Sequence, residues 1–131
     1  MNPACEPQTG SEPRGELASR VLAMPADANP NGTMFGGRIM ALMDAAAMMT
    51  ASKHTQRRVV TVGVSRVAFV HPVSIGDAVC CYTDIIRKGK TSITLNVQVW
   101  TLPQARGERV LVTEAEFTFV AVDASGRPHP I

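Results

Sequence analysis

A chain of 131 residues has room for one domain with one hydrophobic core. Its 45% apolar content predicts a globular fold, and a formal net charge of +2 on scattered Lys and Arg residues does not indicate nucleic-acid binding. No apolar run reaches about 18 residues, and the Pro- and Glu-rich residues 1–15 contain no hydrophobic signal core. We therefore expect a cytoplasmic protein without a membrane span, with a flexible N-terminal tail over residues 1–15 and a single domain over residues 16–131.

A first strand is predicted over residues 16–24, and a loop of turn-forming residues follows it up to Gly32. Two prolines and two asparagines favour an ordered, irregular conformation for this loop. Asn29 stands directly before Pro30. A plain Asx turn is one interpretation of Asn29, and a functional side-chain amide is the other.

Residues 36–49 predict a helix with apolar residues on every side, which continues to about Lys53. Asp44 is the one carboxylate in this stretch. A helix that is apolar all round is normally covered by other structure, and an ionised Asp moved out of water costs several kcal/mol unless a partner stabilises it. Asp44 is therefore either a buried Asp tied to backbone amides or an Arg, or a residue with a chemical role.

The helix opens with Gly36 and Gly37, and such a pair allows another molecule to approach the backbone closely. The first-turn amides lack intrahelical partners and carry the positive end of the helix dipole, which suits an oxyanion; tight packing of the helix entry is the alternative. Gly37 and Asp44 are seven residues apart, which is roughly 10 Å along the axis. If both act on one bond, Asp44 should come from a second copy of the chain.

Four segments rich in Val, Ile, Thr and Phe follow the helix, and the breaks between them favour antiparallel connections. The segments are residues 58–70, 77–88, 91–102 and 108–123. In the third segment apolar and polar residues alternate, which predicts one buried face and one face exposed to water. The order β-α-β-β-β-β predicts an α+β fold in which one helix packs on a curved sheet.

The cysteines and histidines do not form a catalytic or metal-binding pattern. Cys5, Cys80 and Cys81 offer no disulfide framework, and adjacent cysteines in a strand point to opposite faces and cannot hold one metal ion together. The three histidines are dispersed, and no Gly-x-Ser-x-Gly motif exists, which disfavours Ser-His-Asp chemistry. We expect no metal and no cofactor.

An ordered series of motifs resembles the acyl-CoA thioesterases of the hotdog fold, specifically the small bacterial YciA-like group, which is related to brain acyl-CoA hydrolase. The series includes Asp27-Ala28-Asn29, Phe35-Gly36-Gly37, Ile39 to Asp44, Pro72-Val73, Gly76-Asp77, Lys88-Gly89 and Val120 to Asp123, and it covers the chain from about Leu17. The resemblance implies a curved antiparallel sheet wrapped around one long central helix. It also implies an enzyme of fatty acid metabolism that hydrolyses acyl-CoA to a carboxylic acid and coenzyme A.

The resemblance assigns roles to individual residues. The backbone amide of Gly37, with Gly36 as a second candidate, would polarise the thioester carbonyl, and Phe35 belongs to the same motif. Asp44 would take the place of the acid that activates water or attacks the carbonyl carbon. Asn29 would hold the water or the carbonyl through its amide.

A charged turn resembles the stretch that lines the nucleotide of coenzyme A in this family, although a solvated hairpin tip is the alternative. Its residues are Arg87, Lys88, Gly89, Lys90, Thr91 and Ser92. The resemblance further implies a homo-oligomer, a trimer of dimers. An open sheet edge in a single chain also favours pairing of two copies.

Two other functions use the same substrate class. A hotdog hydratase or dehydratase normally pairs a His with a carboxylate, and the predicted helix and its approach contain no His before His54. A non-catalytic acyl-CoA-binding protein would have no need for Asp44. The presence of both Asn29 and Asp44 therefore favours the thioesterase.

Overall fold

Five strands and one long helix make up most of residues 12–131, the part of the chain that this computed structural model describes. The elements are β1 (Glu16–Leu22), α1 (Gly36–Thr55), β2 (Arg58–Phe69), β3 (Ala78–Lys88), β4 (Ser92–Leu102) and β5 (Val110–Val122). The strands form one sheet in the order β1-β3-β4-β5-β2, and all neighbours are antiparallel. The predicted α+β order of elements is confirmed.

The residues just before β1 lie against the sheet. The prediction of a tail over residues 1–15 falls mostly outside the described residues, but Arg14 and Gly15 lie against the sheet. The backbone N–H of Arg14 donates to Gln98 Oε1 at 2.7 Å, and its guanidinium pairs with Asp84 at 2.7 Å. A Cβ on Gly15 would overlap the backbone of Thr83, and its φ of +94° also favours glycine.

The core lies between α1 and one face of the sheet. The buried apolar residues of the helix recur at spacings of three and four, which is the period of one helix face. They are Ile39, Met43, Ala46, Ala47 and Ala51, and they pack with Ile93, Leu95, Val97, Val99, Phe117 and Phe119 of β4 and β5. Small alanines in the middle of the helix allow it to lie close to the bulky side chains of the central strands.

Coverage of the helix on all sides, as the apolar pattern predicted, is not found in the single chain. One five-stranded sheet can cover only one face of α1, so Ala41, Ala45, Met48 and Met49 remain exposed. Asp44 is half-buried. The helix ends at Thr55, two residues beyond the predicted end.

The prediction that β4 has one face exposed to water is wrong. Thr94, Asn96 and Gln98 are all buried, and Asn96 is only 5% exposed. β4 is the central strand, so side chains from β3 and β5 cover it from both sides. Thr94 and Gln98 form hydrogen bonds within that cover, whereas the buried Asn96 Oδ1 has no partner within residues 12–131. Thr94 bonds to Thr118 at 3.0 Å, and Gln98 donates to Glu114 at 2.9 Å.

β2 is an edge strand that pairs only with β5 within the described sheet. Several of its apolar side chains are exposed, with Val62 at 57%. The others are Val60, Val64, Val67 and Phe69. A long apolar edge strand invites pairing with another strand. Within residues 12–131, no helix is both long and apolar enough to cross a bilayer.

Candidate active site

Asp44 has a hydrogen-bond partner that the sequence did not suggest. Thr61 of β2 donates its hydroxyl to Asp44 Oδ1 at 2.6 Å. Thr61 pairs in register with the core residue Phe119, just before an irregularity in β2, and this pairing holds its side chain toward the helix. The one signal in the sequence is a Thr among valines in a strand segment, which alone does not identify a partner 17 residues away.

The start of α1 leaves backbone donors open. The helix begins after Phe35, which provides no side-chain cap, and the amides of Arg38 and Ile39 both donate to the Phe35 carbonyl. Within residues 12–131, the amides of Gly36 and Gly37 have no acceptor. A Cβ on Gly37 would meet no atom within 4 Å, so open space adjoins this amide.

Asp27 ties the preceding loop to the helix start. Its carboxylate accepts a hydrogen bond from the Met24 amide at 2.9 Å and pairs with Arg38 at 3.2 Å, and both interactions lower the pKa of Asp27. The Asp27 carbonyl also accepts the Phe35 amide at 3.1 Å. Arg38, the early-helix cation, is therefore held toward the loop.

Asn29 organises the same loop. Its Oδ1 accepts hydrogen bonds from the backbone amides of Asn31 and Thr33 at 2.9 and 3.1 Å, and its Nδ2 donates to Thr33 Oγ1 at 3.0 Å. The Asx turn considered from the sequence is thus formed. Nδ2 carries a second N–H for which the described residues provide no acceptor, so a role toward a ligand would use this donor.

A cleft of about 370 Å³ lies beside the helix start. Gly36, Met34, Phe69 and His71 are among its lining residues, and Asp44 is not. His71 comes from the connection between β2 and β3, and no motif in the sequence indicates that it lies here. Within residues 12–131, the cleft that contains Gly36 does not include the Asp44 carboxylate.

A larger cleft of about 500 Å³ lies elsewhere, between the second half of α1 and the β1–β3 side of the sheet. Thr50, Lys53, His54 and Asp84 line it together with Thr83, whose hydroxyl lies 2.8 Å from that of Thr50. It contains neither Asp44 nor the two glycines. Its size alone therefore does not make it the site of the chemistry.

The charged turn differs in detail from the prediction. Arg87 and Lys88 are the last residues of β3 and Ser92 is the first of β4, so the turn itself is residues 89–91. Arg87 points along the outer face of the sheet, 3.8 Å from Glu116. The turn lies at the end of the sheet where β2 begins, whereas Gly36 lies near Phe69, where β2 ends.

A five-stranded antiparallel sheet that wraps one long helix, with open amides at the helix start and a carboxylate within it, is the hotdog arrangement of a thioesterase. The thioesterase superfamily domain matches residues 31–119, and the chain belongs to this superfamily.

Comparison with individual proteins supports this membership over nearly the whole chain. The chain is 47% identical over 122 residues to the acyl-CoA thioester hydrolase YciA of Salmonella typhimurium. The aligned region covers 91% of this chain and 92% of the relative. A hexameric thioesterase of Yersinia pestis superposes with a TM-score of 0.88 at 48% identity, covering 92% and 98% of the two chains. A hexameric hotdog fold thioesterase of Campylobacter jejuni superposes with a TM-score of 0.82 at 37% identity, and the superposition covers 89% of this chain and 90% of the other.

Proposed function

We propose that this protein is an acyl-CoA thioesterase that hydrolyses acyl-CoA to a free carboxylic acid and coenzyme A. The observation that carries the proposal is the half-buried carboxylate of Asp44, which Thr61 holds at 2.6 Å on an otherwise apolar stretch of helix. The similar protein from Salmonella typhimurium is named an acyl-CoA thioester hydrolase, which supports this substrate class.

The mechanism uses the open amides and the carboxylate. The Gly37 N–H, with the Gly36 N–H beside it, donates to the thioester oxygen as negative charge develops there. Asp44 takes a proton from water that attacks the carbon, or attacks the carbon itself to give a mixed anhydride that water then cleaves. The carbon–sulfur bond breaks in either route, and the coenzyme A sulfur leaves as a thiolate that takes up a proton. Asn29 positions the water or the carbonyl through its remaining N–H.

The site is completed by a second copy of the chain. Gly37 and Asp44 lie about 10 Å apart along one helix, so one thioester cannot easily contact both from a single chain. Two copies that pair their free β2 edges antiparallel would place the two helices side by side in opposite directions, and the exposed Met48 face would be covered. The Asp44 of one copy would then face the Gly37 of the other. We propose a dimer of this kind, assembled as a trimer of dimers, and the hexameric state of two similar thioesterases supports a six-chain assembly.

Coenzyme A is proposed to contact the β3–β4 turn through its phosphates. Lys88, Gly89 and Lys90 are exposed, and the adjoining Thr91 and Ser92 add hydroxyl groups. Arg87 contributes less, because it already faces Glu116. Phe35, half-exposed beside Gly36, is proposed to contact the substrate near the thioester.

The protein is proposed to act in the cytoplasm. The two cysteines within the described residues, Cys80 and Cys81, are free thiols, and burial raises the pKa of the Cys81 thiol. Free buried thiols suit a reducing compartment, and acyl-CoA is a substrate of intracellular metabolism.

The decisive experiment follows thiol release from several acyl-CoA substrates with a thiol reagent. We expect hydrolysis by the native protein and a loss of about a hundredfold or more in Asp44→Asn and Asp44→Ala. Glu108→Gln, an exposed carboxylate-to-amide change in the loop before β5, is the matched control and should keep native turnover. Near-native turnover by folded Asp44→Asn would overturn the mechanism.

The same assay separates the two alternatives. A hydratase, for which His71 beside Gly36 would be the candidate His, would consume enoyl-CoA without releasing thiol. A non-catalytic binding protein would bind acyl-CoA and leave it intact.

A further inference from the structure

The cleft beside the helix start, with a volume of about 370 Å³, has a floor of apolar side chains. Met34, Ile39 and Val73 line it and are buried, and Phe69 lies at its exposed edge. A volume of this size is within the range of small-molecule sites. The cleft therefore suits a short hydrocarbon chain.

A backbone hydrogen bond holds two walls of the cleft together. The Met34 amide, in the loop before α1, donates to the Val73 carbonyl in the connection between β2 and β3 at 2.8 Å. On the helix side, a Cβ on Gly36 would lie 3.6 Å from the Phe69 ring. The cleft thus has fixed walls, and it adjoins the amides that are proposed to bind the thioester oxygen.

His71 is the one ionisable side chain among the described residues that line this cleft. It is half-buried, and within residues 12–131 its imidazole forms no hydrogen bond and no ion pair. Thr33, the other polar side chain of the lining, already bonds to Asn29 at 3.0 Å. A polar group removed from water loses free energy unless it is hydrogen-bonded, so an imidazole in an apolar cleft favours a ligand with a polar group.

The surroundings of the cleft favour a negative charge on that group. The open amides at the start of α1 carry the positive end of the helix dipole, and Arg38 adds a cation to the same turn. No carboxylate lines the cleft among the described residues, and the nearby Asp27 already bonds to Arg38 and to the Met24 amide. A carboxylate would form a charge-assisted hydrogen bond with the imidazole N–H of His71, which is stronger than a bond between neutral groups.

Two groups extend from the thioester carbon, and the cleft suits only one of them. The pantetheine arm on the sulfur contains amide groups that require hydrogen-bond partners, whereas the floor of the cleft consists of Met, Ile and Val side chains. An acyl chain gains free energy when its methylene groups leave water for such a surface. The cleft therefore suits the acyl chain.

We propose that the acyl chain of the substrate lies in this cleft and that His71 selects short acyl groups that end in a carboxylate. The imidazole N–H donates to the carboxylate at the far end of the chain, while the thioester oxygen lies at the Gly37 amide. The inference rests on the proposed function and names the substrate class of the same site.

The test measures thiol release from two matched series of acyl-CoA substrates. Succinyl-, glutaryl- and adipyl-CoA end in a carboxylate, and butyryl-, pentanoyl- and hexanoyl-CoA have the same chain lengths without it. Rates are corrected for hydrolysis without protein. We expect kcat/KM for the best carboxylate substrate to fall about tenfold in His71→Leu, the loss of one charge-assisted hydrogen bond, while its alkyl counterpart is not impaired.

Two further variants are controls. His71→Gln keeps an N–H donor, so it should retain part of the preference for the carboxylate. His54→Leu removes an exposed histidine from the larger cleft and should keep the native ratio of the two kcat/KM values. Thermal unfolding checks that each variant is folded.

The inference is overturned if His71→Leu changes neither series. It is also overturned if this variant slows both series equally, which would place His71 against the coenzyme A part of the substrate. If the native protein releases no thiol from any substrate, the proposed function fails instead, and calorimetric titration with glutaryl-CoA and pentanoyl-CoA decides. Tighter binding of glutaryl-CoA that is lost in His71→Leu would support the selection, and equal binding of the two would overturn it.

Discussion

Thr61 Oγ1 lies 2.6 Å from Asp44 Oδ1, and this hydrogen bond joins the central helix to the edge strand β2. The bond occupies one carboxylate oxygen, and within residues 12–131 the other oxygen has no hydrogen-bond donor. It therefore fixes the orientation of the Asp44 carboxylate, and in the proposed mechanism a fixed carboxylate needs little reorganisation during the reaction.

Replacement of Thr61 tests this relationship. Thr61→Val keeps the shape of the side chain but removes the donor, so we expect kcat for acyl-CoA to fall about tenfold with little change in KM. Thr61→Ser keeps the hydroxyl and should restore most of the rate. The measurement is the steady-state kinetics of both variants, and thermal unfolding confirms that each is folded. Equal rates for Thr61→Val and Thr61→Ser would exclude a role for the hydrogen bond.

Gly37→Ala tests the effect of the helix start on turnover separately from its effect on stability. The added methyl would meet no atom of the chain within 4 Å, and Ala is the better helix former, so the Tm should stay unchanged or rise. The methyl would instead occupy the open space next to the amide that is proposed to receive the thioester oxygen. We expect turnover to fall about a hundredfold, comparable to the loss of an oxyanion donor. A stable variant with native turnover would show that no substrate approaches this amide.

The order and extent of the elements could be predicted because their signals are local. Strands rich in Val and Thr, separated by Gly and Pro, gave bounds within two residues for β2 to β5, and Gly36 marked the start of α1. The exposure of β4 could not be predicted in this way. Alternation shows which residues share a face, but only the neighbours β3 and β5 decide whether Asn96 meets water.

The candidate site was predicted only in part, because some of its contacts join elements that are distant in the sequence. Asp44 stood out because a carboxylate in an apolar helix needs a partner, yet that partner lies on a different element, and packing alone brings Thr61 to it. Similarly, His71 reaches the cleft beside Gly36 from a distant connection. The roles of Asp44, Gly37 and Asn29 in catalysis stay predictions.

Asp77 gives a prediction for stability rather than activity. Its buried carboxylate accepts hydrogen bonds from the amides of Ser74 and Gln104, both at 3.0 Å, and from the Thr101 hydroxyl at 3.3 Å. Asp77→Ala would leave the two amides without an acceptor, whereas the Thr101 hydroxyl could still donate to the Ala78 carbonyl at 3.2 Å. We expect the free energy of unfolding to fall by about 3 kcal/mol. Denaturant unfolding measures it. Asp84→Ala, which removes only an exposed ion pair with Arg14, should cost less than about 1 kcal/mol; equal losses would contradict the assignment.

Val62 tests the proposed dimer contact. A charge at this exposed position on the free edge would have to be desolvated between two paired β2 strands, so Val62→Asp should dissociate the oligomer. Light scattering should report a large assembly for the native protein and a species near 14.0 kDa for the variant, with greatly reduced hydrolysis. Circular dichroism checks that the variant is folded. An unchanged size for Val62→Asp would place the contact elsewhere.

Mixing two inactive variants tests whether the site is shared between chains. If Asp44 of one copy works with Asn29 and Gly37 of the other, a heterodimer of Asp44→Ala and Asn29→Ala chains contains one native site and one doubly damaged site. Equal mixing under conditions that exchange subunits should restore about one quarter of native activity, because about half of the dimers are mixed and each has one working site. Mass spectrometry verifies the exchange, and the Asn29→Ala protein alone gives the background rate. Verified exchange with no recovered hydrolysis would place all three groups in one chain, whereas a high background rate would show that Asn29 is dispensable.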